Sequence, residues 1–301
     1  MSEPVLLAQQ PKVAATAGAG AELSPDKAIA MAEAGRCQES ISALKHIMRG
    51  QASAELRKRG GLVGLRCSLT LDDRDSAADF IRSLSKQFAR DPDVLFVLVH
   101  AYSDLSTRTA QDLARTAPQS IAAHKLNAEA LEMQGKWEPA QLEYEGILKK
   151  EPDAPGIHFL LGRLLLSRPD AGPDAVARAK QEFEKELQID PHNAGAEYIL
   201  GEIARQASQW DEAIPHFSRA AQLDTTFGDA YMGLGFCLVS LKRYEEAIPP
   251  LRVAVRLEGK NPAAHYNLAV ALERSGQKDE AEKEFAIQRQ LTQNSTPGKG
   301  K

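Results

Sequence analysis

Residues 199–223 read ILGEIARQASQWDEAIPHFSRAAQL, and their spacing decides how the rest of the chain is read. Ile199, Leu200 and Ile203 recur at helical spacing, with Gly201 among them where a neighbouring backbone must come close. Ala207, Ser208 and Gln209 turn the chain. Asp211 is placed to cap a second helix, whose apolar stripe runs through Ala213, Ile214, Phe217, Ala220, Ala221 and Leu223. Neither helix can cover its stripe alone. Stacked copies of the hairpin supply the missing cover, which predicts a solenoid with one continuous core.

The spacing repeats. Gly201, Gly235 and Ala269 lie 34 residues apart, as do Ala128 and Gly162. In four copies an Ala follows twelve residues later, at Ala140, Ala213, Ala247 and Ala281. Gly162 to Ala179 measures 17 instead, so that copy carries five extra residues. They fall within 167–174, whose Pro and Gly content marks a surface loop. The in-register units are 121–154, 155–193, 194–227, 228–261 and 262–295. Upstream, 26–34 with 38–48, 54–71 with 76–89, and 93–105 with 110–117 read as three degenerate hairpins across 24–120. Residues 1–23 read as a flexible leader. The polar run from Thr292, and 296–301 above all, reads as a disordered tail.

These units resemble the tetratricopeptide repeat, whose pattern is W-x2-L-G-x2-Y followed by Ala, Phe, Ala and Pro. Leu234-Gly235-x2-Leu238, Ala247, Leu251 and Ala254 match it, as do Leu200-Gly201-x2-Ala204, Ala213, Phe217 and Ala220. Pro152 and Pro191 stand at the boundary position, which is Thr225 and Gly259 in later units. The first aromatic position holds His124, His158, Glu197, Tyr231 and His265. The resemblance implies an all-α, right-handed α-solenoid of stacked helix-turn-helix repeats. It further implies a concave groove, lined by the first helices, that binds a protein or peptide segment of a partner. Carried onto this chain, the family's groove positions are Lys125, Glu129 and Glu132; Phe159, Arg163 and Leu166; Tyr198, Glu202 and Arg205; Met232, Phe236 and Val239; Tyr266, Val270 and Glu273. Phe159, Tyr198, Met232, Phe236 and Tyr266 would anchor an apolar or aromatic segment, with Arg163, Glu202 and Arg205 orienting it. A clamp for a terminal carboxylate is the lesser reading, because Glu202 intrudes and Asn267 is the one amide near the right place.

Composition narrows the function. Lys plus Arg is 37 against 41 Asp plus Glu, a net charge of −4, which disfavours nucleic-acid binding. The longest apolar run, Val94–Val99, is far short of the ~20 residues that span a bilayer. Cys37, Cys67 and Cys237 are widely spaced and in no C-x-x-C pair, and read as small buried thiols. His124, His158 and His265 share one repeat position and read as structural or surface histidines, so no metal and no cofactor is expected. Glu245-Glu246 and Asp211-Glu212 sit at helix starts, where carboxylates complement the helix dipole. With no nucleotide-binding, zinc-protease or serine-hydrolase motif, the chain is expected not to be an enzyme. The expectation is therefore an interaction scaffold; a structural spacer or assembly subunit using convex or terminal surfaces is the alternative, and a regulatory arm for a catalytic chain a third. The compartment stays open between the cytoplasm, which is preferred, and export, because 9–21 would also serve as the linker behind a removed signal. The oligomeric state is likewise open.

Overall fold

A computed structural model describes residues 23–169, 172 and 174–295, so the leader up to residue 22, the last six residues and the middle of the 167–174 insertion lie outside it. Among the described residues there are fifteen helices and no strand: the protein is an all-α solenoid. Two compact units divide between Thr116 and Ala117.

The first unit comprises α1 (Pro25–Glu33), α2 (Cys37–Arg49), α3 (Ala54–Thr70), α4 (Arg74–Gln87) and α5 (Pro92–Thr116). Its core holds Ile29, Leu44, Leu65, Phe80 and Leu84, all fully buried. The α1–α2 turn passes through Gly35 and the α3–α4 turn through Asp72, both left-handed. Each turn closes with an amide reaching back five residues, Arg36 N–H to Met31 O and Asp73 N–H to Ser68 O, both 2.9 Å. Gly61 and Gly64 lie inside α3 because nothing larger fits. Met48 and Leu84 press on the first and the Phe80 ring on the second.

Four sequence expectations fail, the simplest being the Asp211 cap: the helix Trp210–Leu223 follows Gln209 and has no side-chain cap, with Asp211 inside its first turn. Residues 93–105 and 110–117 are not a hairpin but parts of the single helix α5. The polar run between them contains no Gly or Pro, and its hydroxyls bond carbonyls one turn back, Thr107 to Ser103 O (2.9 Å) and Thr109 to Leu105 O (2.8 Å). Cys37 and Cys67 are not thiols but a disulfide, with Cα atoms 5.0 Å apart. Packing α2 on α3 brings together cysteines 30 residues apart in sequence, a proximity that spacing rules for adjacent pairs do not see. The polar stretch from Thr292 continues α15 as far as Ser295 rather than leaving it.

The second unit comprises α6 (Ile121–Met133), α7 (Trp137–Lys150), α8 (Ile157–Ser167), α9 (Ala175–Ile189), α10 (Ala194–Gln206), α11 (Trp210–Leu223), α12 (Gly228–Ser240), α13 (Tyr244–Leu257), α14 (Pro262–Arg274) and α15 (Lys278–Ser295). Side-chain oxygens of Ser120, Asn193 and Asn261 cap the first helices α6, α10 and α14. The hairpin turns pass through left-handed Gly135, Ser208, Lys242 and Gly276. Inside three of these hairpins a glycine of the first helix meets a bulky residue of the second. Gly201 faces Phe217 and Gly235 faces Leu251, sixteen residues on in both. Gly162 faces Phe183, twenty-one on, so the five extra residues leave the contact between α8 and α9 in place.

A second fastener follows the same register. His124 Nδ1 pairs with Glu143 Oε2 at 2.6 Å, His158 with Glu182 at 2.5 Å and His265 with Glu284 at 2.6 Å. In α10–α11 the partners are exchanged, Glu197 pairing with His216 at 2.7 Å. These contacts make the shared-position histidines rungs between the two helices of a repeat. Consecutive hairpins then stack so that α10 lies against α12 and α12 against α14. Lys180–Glu212 (2.5 Å) and Arg252–Glu280 (2.8 Å) link their second helices. Buried Glu186 of α9 accepts from the amides of Gly156 (2.8 Å) and Phe159 (3.2 Å), capping α8 from outside.

Candidate functional site on the first helices

The side-by-side first helices of the second unit enclose a cavity of about 290 Å3. Tyr198, Glu202 and Arg205 reach it from α10, and Met232, Gly233 and Phe236 from α12. Asp229 stands at its mouth, and Ala263 and Asn267 close it from α14. The aromatic members are each fixed from behind. Tyr198 lies between Phe217 (5.8 Å between ring centres) and Phe227 (4.7 Å), and Phe236 meets Trp210 edge-on at 5.7 Å. Gly233 is bare because a side chain there would strike the Phe217 ring. The floor is therefore rigid and apolar.

The polar rim is ordered as well. Arg205 donates two hydrogen bonds to Glu202, 2.8 and 2.7 Å, and its guanidinium lies over the Phe236 ring 5.5 Å from the centre. Asn261 Nδ2 donates to Glu258 Oε2 at 2.9 Å and approaches Met232 Sδ at 3.5 Å. Burial pushes the Tyr198 hydroxyl up to about 12, with Glu202 and Asp229 adding to it. Burial, then Glu258 and Glu202, also raises the Asp229 carboxyl above its ordinary value. Burial pushes the free thiol of Cys237, on the inner side of α12, up to about 12, which leaves it inert.

Of the groove residues expected from sequence, Tyr198, Glu202, Arg205, Met232 and Phe236 meet in this cavity. The others lie elsewhere on the first helices. Lys125 is exposed and Glu129 half-buried on α6. Arg163 bonds Glu132 at 3.2 Å, and the other carboxylate oxygen of Glu132 accepts from the Tyr144 hydroxyl at 2.6 Å. Phe159 packs on Phe183, ring centres 5.6 Å apart, and against Gly195 of the next repeat. Tyr266 is exposed beside Phe285, while Val239 and Val270 are half-buried and Leu166 and Glu273 lie at the surface. Sequence reasoning missed Asp229, Gly233 and Ala263. Asp229 was there to be found: it precedes Met232 by three residues and Phe236 by seven, one stripe of a helix.

The family model described as Tetratricopeptide repeat matches residues 172–226 in one form and 204–249 and 242–297 in another. The tetratricopeptide repeat-containing protein trd-1 of Caenorhabditis elegans is 24% identical over 148 residues, 49% of this chain and 18% of that protein. The small glutamine-rich tetratricopeptide repeat-containing protein 2 of Mycosarcoma maydis is 28% identical over 95 residues, 32% of this chain and 27% of that one. Residues 172–297 of this chain are tetratricopeptide repeats. The chain matches less than a third of the length of either of these curated relatives. Two solved tetratricopeptide folds superpose on much of it. A MamA structure is 23% identical and covers 60% of this chain and 98% of its own, with a TM-score of 0.51. YrrB, described as a TPR protein with an unusual peptide-binding site, is 19% identical and covers 62% and 93%, with a TM-score of 0.52. At these identities the likeness speaks to the fold, and within it the cavity lies on the first helices of three successive tetratricopeptide repeats.

Proposed function

We propose that this chain is a non-catalytic interaction module that holds a protein segment on the first helices of its second unit, at the cavity between α10, α12 and α14. The observation that carries this reading is the pairing of a fixed apolar floor, Tyr198, Met232 and Phe236, with a charged rim open to solvent. Groups already ordered lose little entropy when a ligand arrives. YrrB supports the reading by analogy, its description naming a peptide-binding site in the same fold. The hairpins α1–α2 and α3–α4 belong to the same scheme as degenerate repeats: Gly64 faces Phe80 sixteen residues on, the interval seen in α10–α11 and α12–α13.

A second surface favours an assembly role alongside the first. Leu95, Phe96, Val99 and Tyr102 stand exposed on one side of α5, the last helix of its unit, and a helical stripe of this kind is a common contact surface. Panning a random displayed-peptide library on the full chain separates the two. Met232→Ala and Phe236→Ala should each weaken the selected peptides about tenfold or more, as buried anchors do. Peptides that bind these variants normally and lose affinity for Phe96→Ala instead would move the site to α5.

A further inference from the structure

The cavity between α10, α12 and α14 is unequally charged. Glu202 is neutralised by Arg205 through two hydrogen bonds, and the guanidinium is held over the Phe236 ring, which keeps it from other carboxylates. One further carboxylate, Asp229, lines the cavity, and a second, Glu258, stands outside the lining but close enough to act on it. Glu258 rests on the first turn of α12, where its oxygen occupies the space a side chain at Gly228 would need, and is held by Asn261. Among the described residues the Asp229 carboxylate has no hydrogen-bond partner, and neither it nor Glu258 has a cation within ion-pair distance. Asp229 reaches solvent at the cavity mouth, yet burial and the two neighbouring glutamates hold its carboxyl above the ordinary range. A net negative mouth over an apolar floor repels an incoming carboxylate and attracts an ammonium or guanidinium group.

We propose that the occupant of this groove is a partner segment in which a Lys or Arg stands next to a bulky apolar residue. The cation pairs with Asp229 and, behind it, Glu258. The apolar side chain lies on Met232 and Phe236. This rests on the groove reading above and adds the chemistry of the ligand. It also replaces the family's carboxylate clamp with its electrostatic opposite in this chain.

Three bead-bound peptide libraries test it, each randomised among Leu, Met, Phe, Trp and Tyr on both sides of one fixed position. That position is Lys or Arg in the first, norleucine in the second, and Asp or Glu in the third. Fluorescently labelled full chain should be retained on the basic set about tenfold more than on the norleucine set, and least on the acidic set. Asp229→Asn should lower basic-set retention to the norleucine level without changing the latter, and Asp229→Glu should restore most of it. Met232→Ala and Phe236→Ala should reduce retention on every set. Equal retention on all three sets, or a preference for the acidic set, overturns the charge assignment; if Met232→Ala and Phe236→Ala still reduce it, the groove reading survives. Retention on no set, or retention indifferent to Met232→Ala and Phe236→Ala, overturns both.

Discussion

The hairpin α3–α4 of the first unit and α10–α11 of the second are built on one contact and fastened in different ways. In each, a glycine of the first helix lets a phenylalanine ring of the second come into close contact: Gly64 with Phe80, Gly201 with Phe217. The second unit adds His–Glu rungs between the helices of its repeats. The first instead ties α2 to α3 with a disulfide and pairs Asp72 at its turn with Arg108 at 3.2 Å. A hairpin of this type thus depends on the close contact, and the remaining fasteners are exchangeable. That is why the repeat pattern fades upstream in sequence while the packing does not.

The largest expected effect separates the units. Replacing Cys37 and Cys67 together with Ser should cost the first unit about 3–4 kcal/mol, the loop entropy of a 30-residue closure. Both tryptophans, Trp137 and Trp210, lie in the second unit. The circular-dichroism melt should therefore shift while the tryptophan-fluorescence melt stays in place; a common shift would contradict independent fastening. In the native oxidised chain, thiol reagents should find no reactive cysteine, and after denaturation only Cys237. Next comes the shared contact. Gly235→Ala puts a methyl into the Leu251 side chain and should cost roughly 1–3 kcal/mol. Gly146→Ala, which meets nothing within 4 Å, should be neutral or stabilising by about 0.5 kcal/mol, both variants being compared by urea titration.

The rungs offer a finer test, because one is already reversed. Glu197→His and His216→Glu should each cost about 1 kcal/mol, and the double swap should recover most of it by restoring the polarity of the other repeats. Additive losses would mean that the pair contributes nothing as a pair. Smallest is the turn: Lys242→Gly relieves a left-handed residue at φ 61° and should stabilise the second unit by about 0.5–1 kcal/mol.

Much of this was legible in the sequence. The 34-residue interval and the position of the five-residue insertion both followed from periodicity, because each is a local property of the chain. Five cavity residues, Tyr198, Glu202, Arg205, Met232 and Phe236, came from carrying the family's groove positions onto the repeat register. What stayed hidden was long-range or context-dependent. The Cys37–Cys67 bond needs two helices in contact, and the unbroken α5 needs hydroxyls that satisfy themselves within the helix. The roles of His124, His158 and His265 need their glutamate partners, and the split between Phe159, which packs between repeats, and Met232, which faces the cavity, needs the neighbouring repeat. Asp229 was missed because family positions were copied without extending the helical stripe back by one turn.

The claim that the first helices of the second unit form the binding surface is tested most directly by amide hydrogen exchange of the full chain, with and without a peptide selected on it. Added protection should appear in α10, α12 and α14, around Tyr198, Met232 and Asn267, and should vanish in Phe236→Ala. Protection confined to α5, or to the second helices α11, α13 and α15, would contradict it.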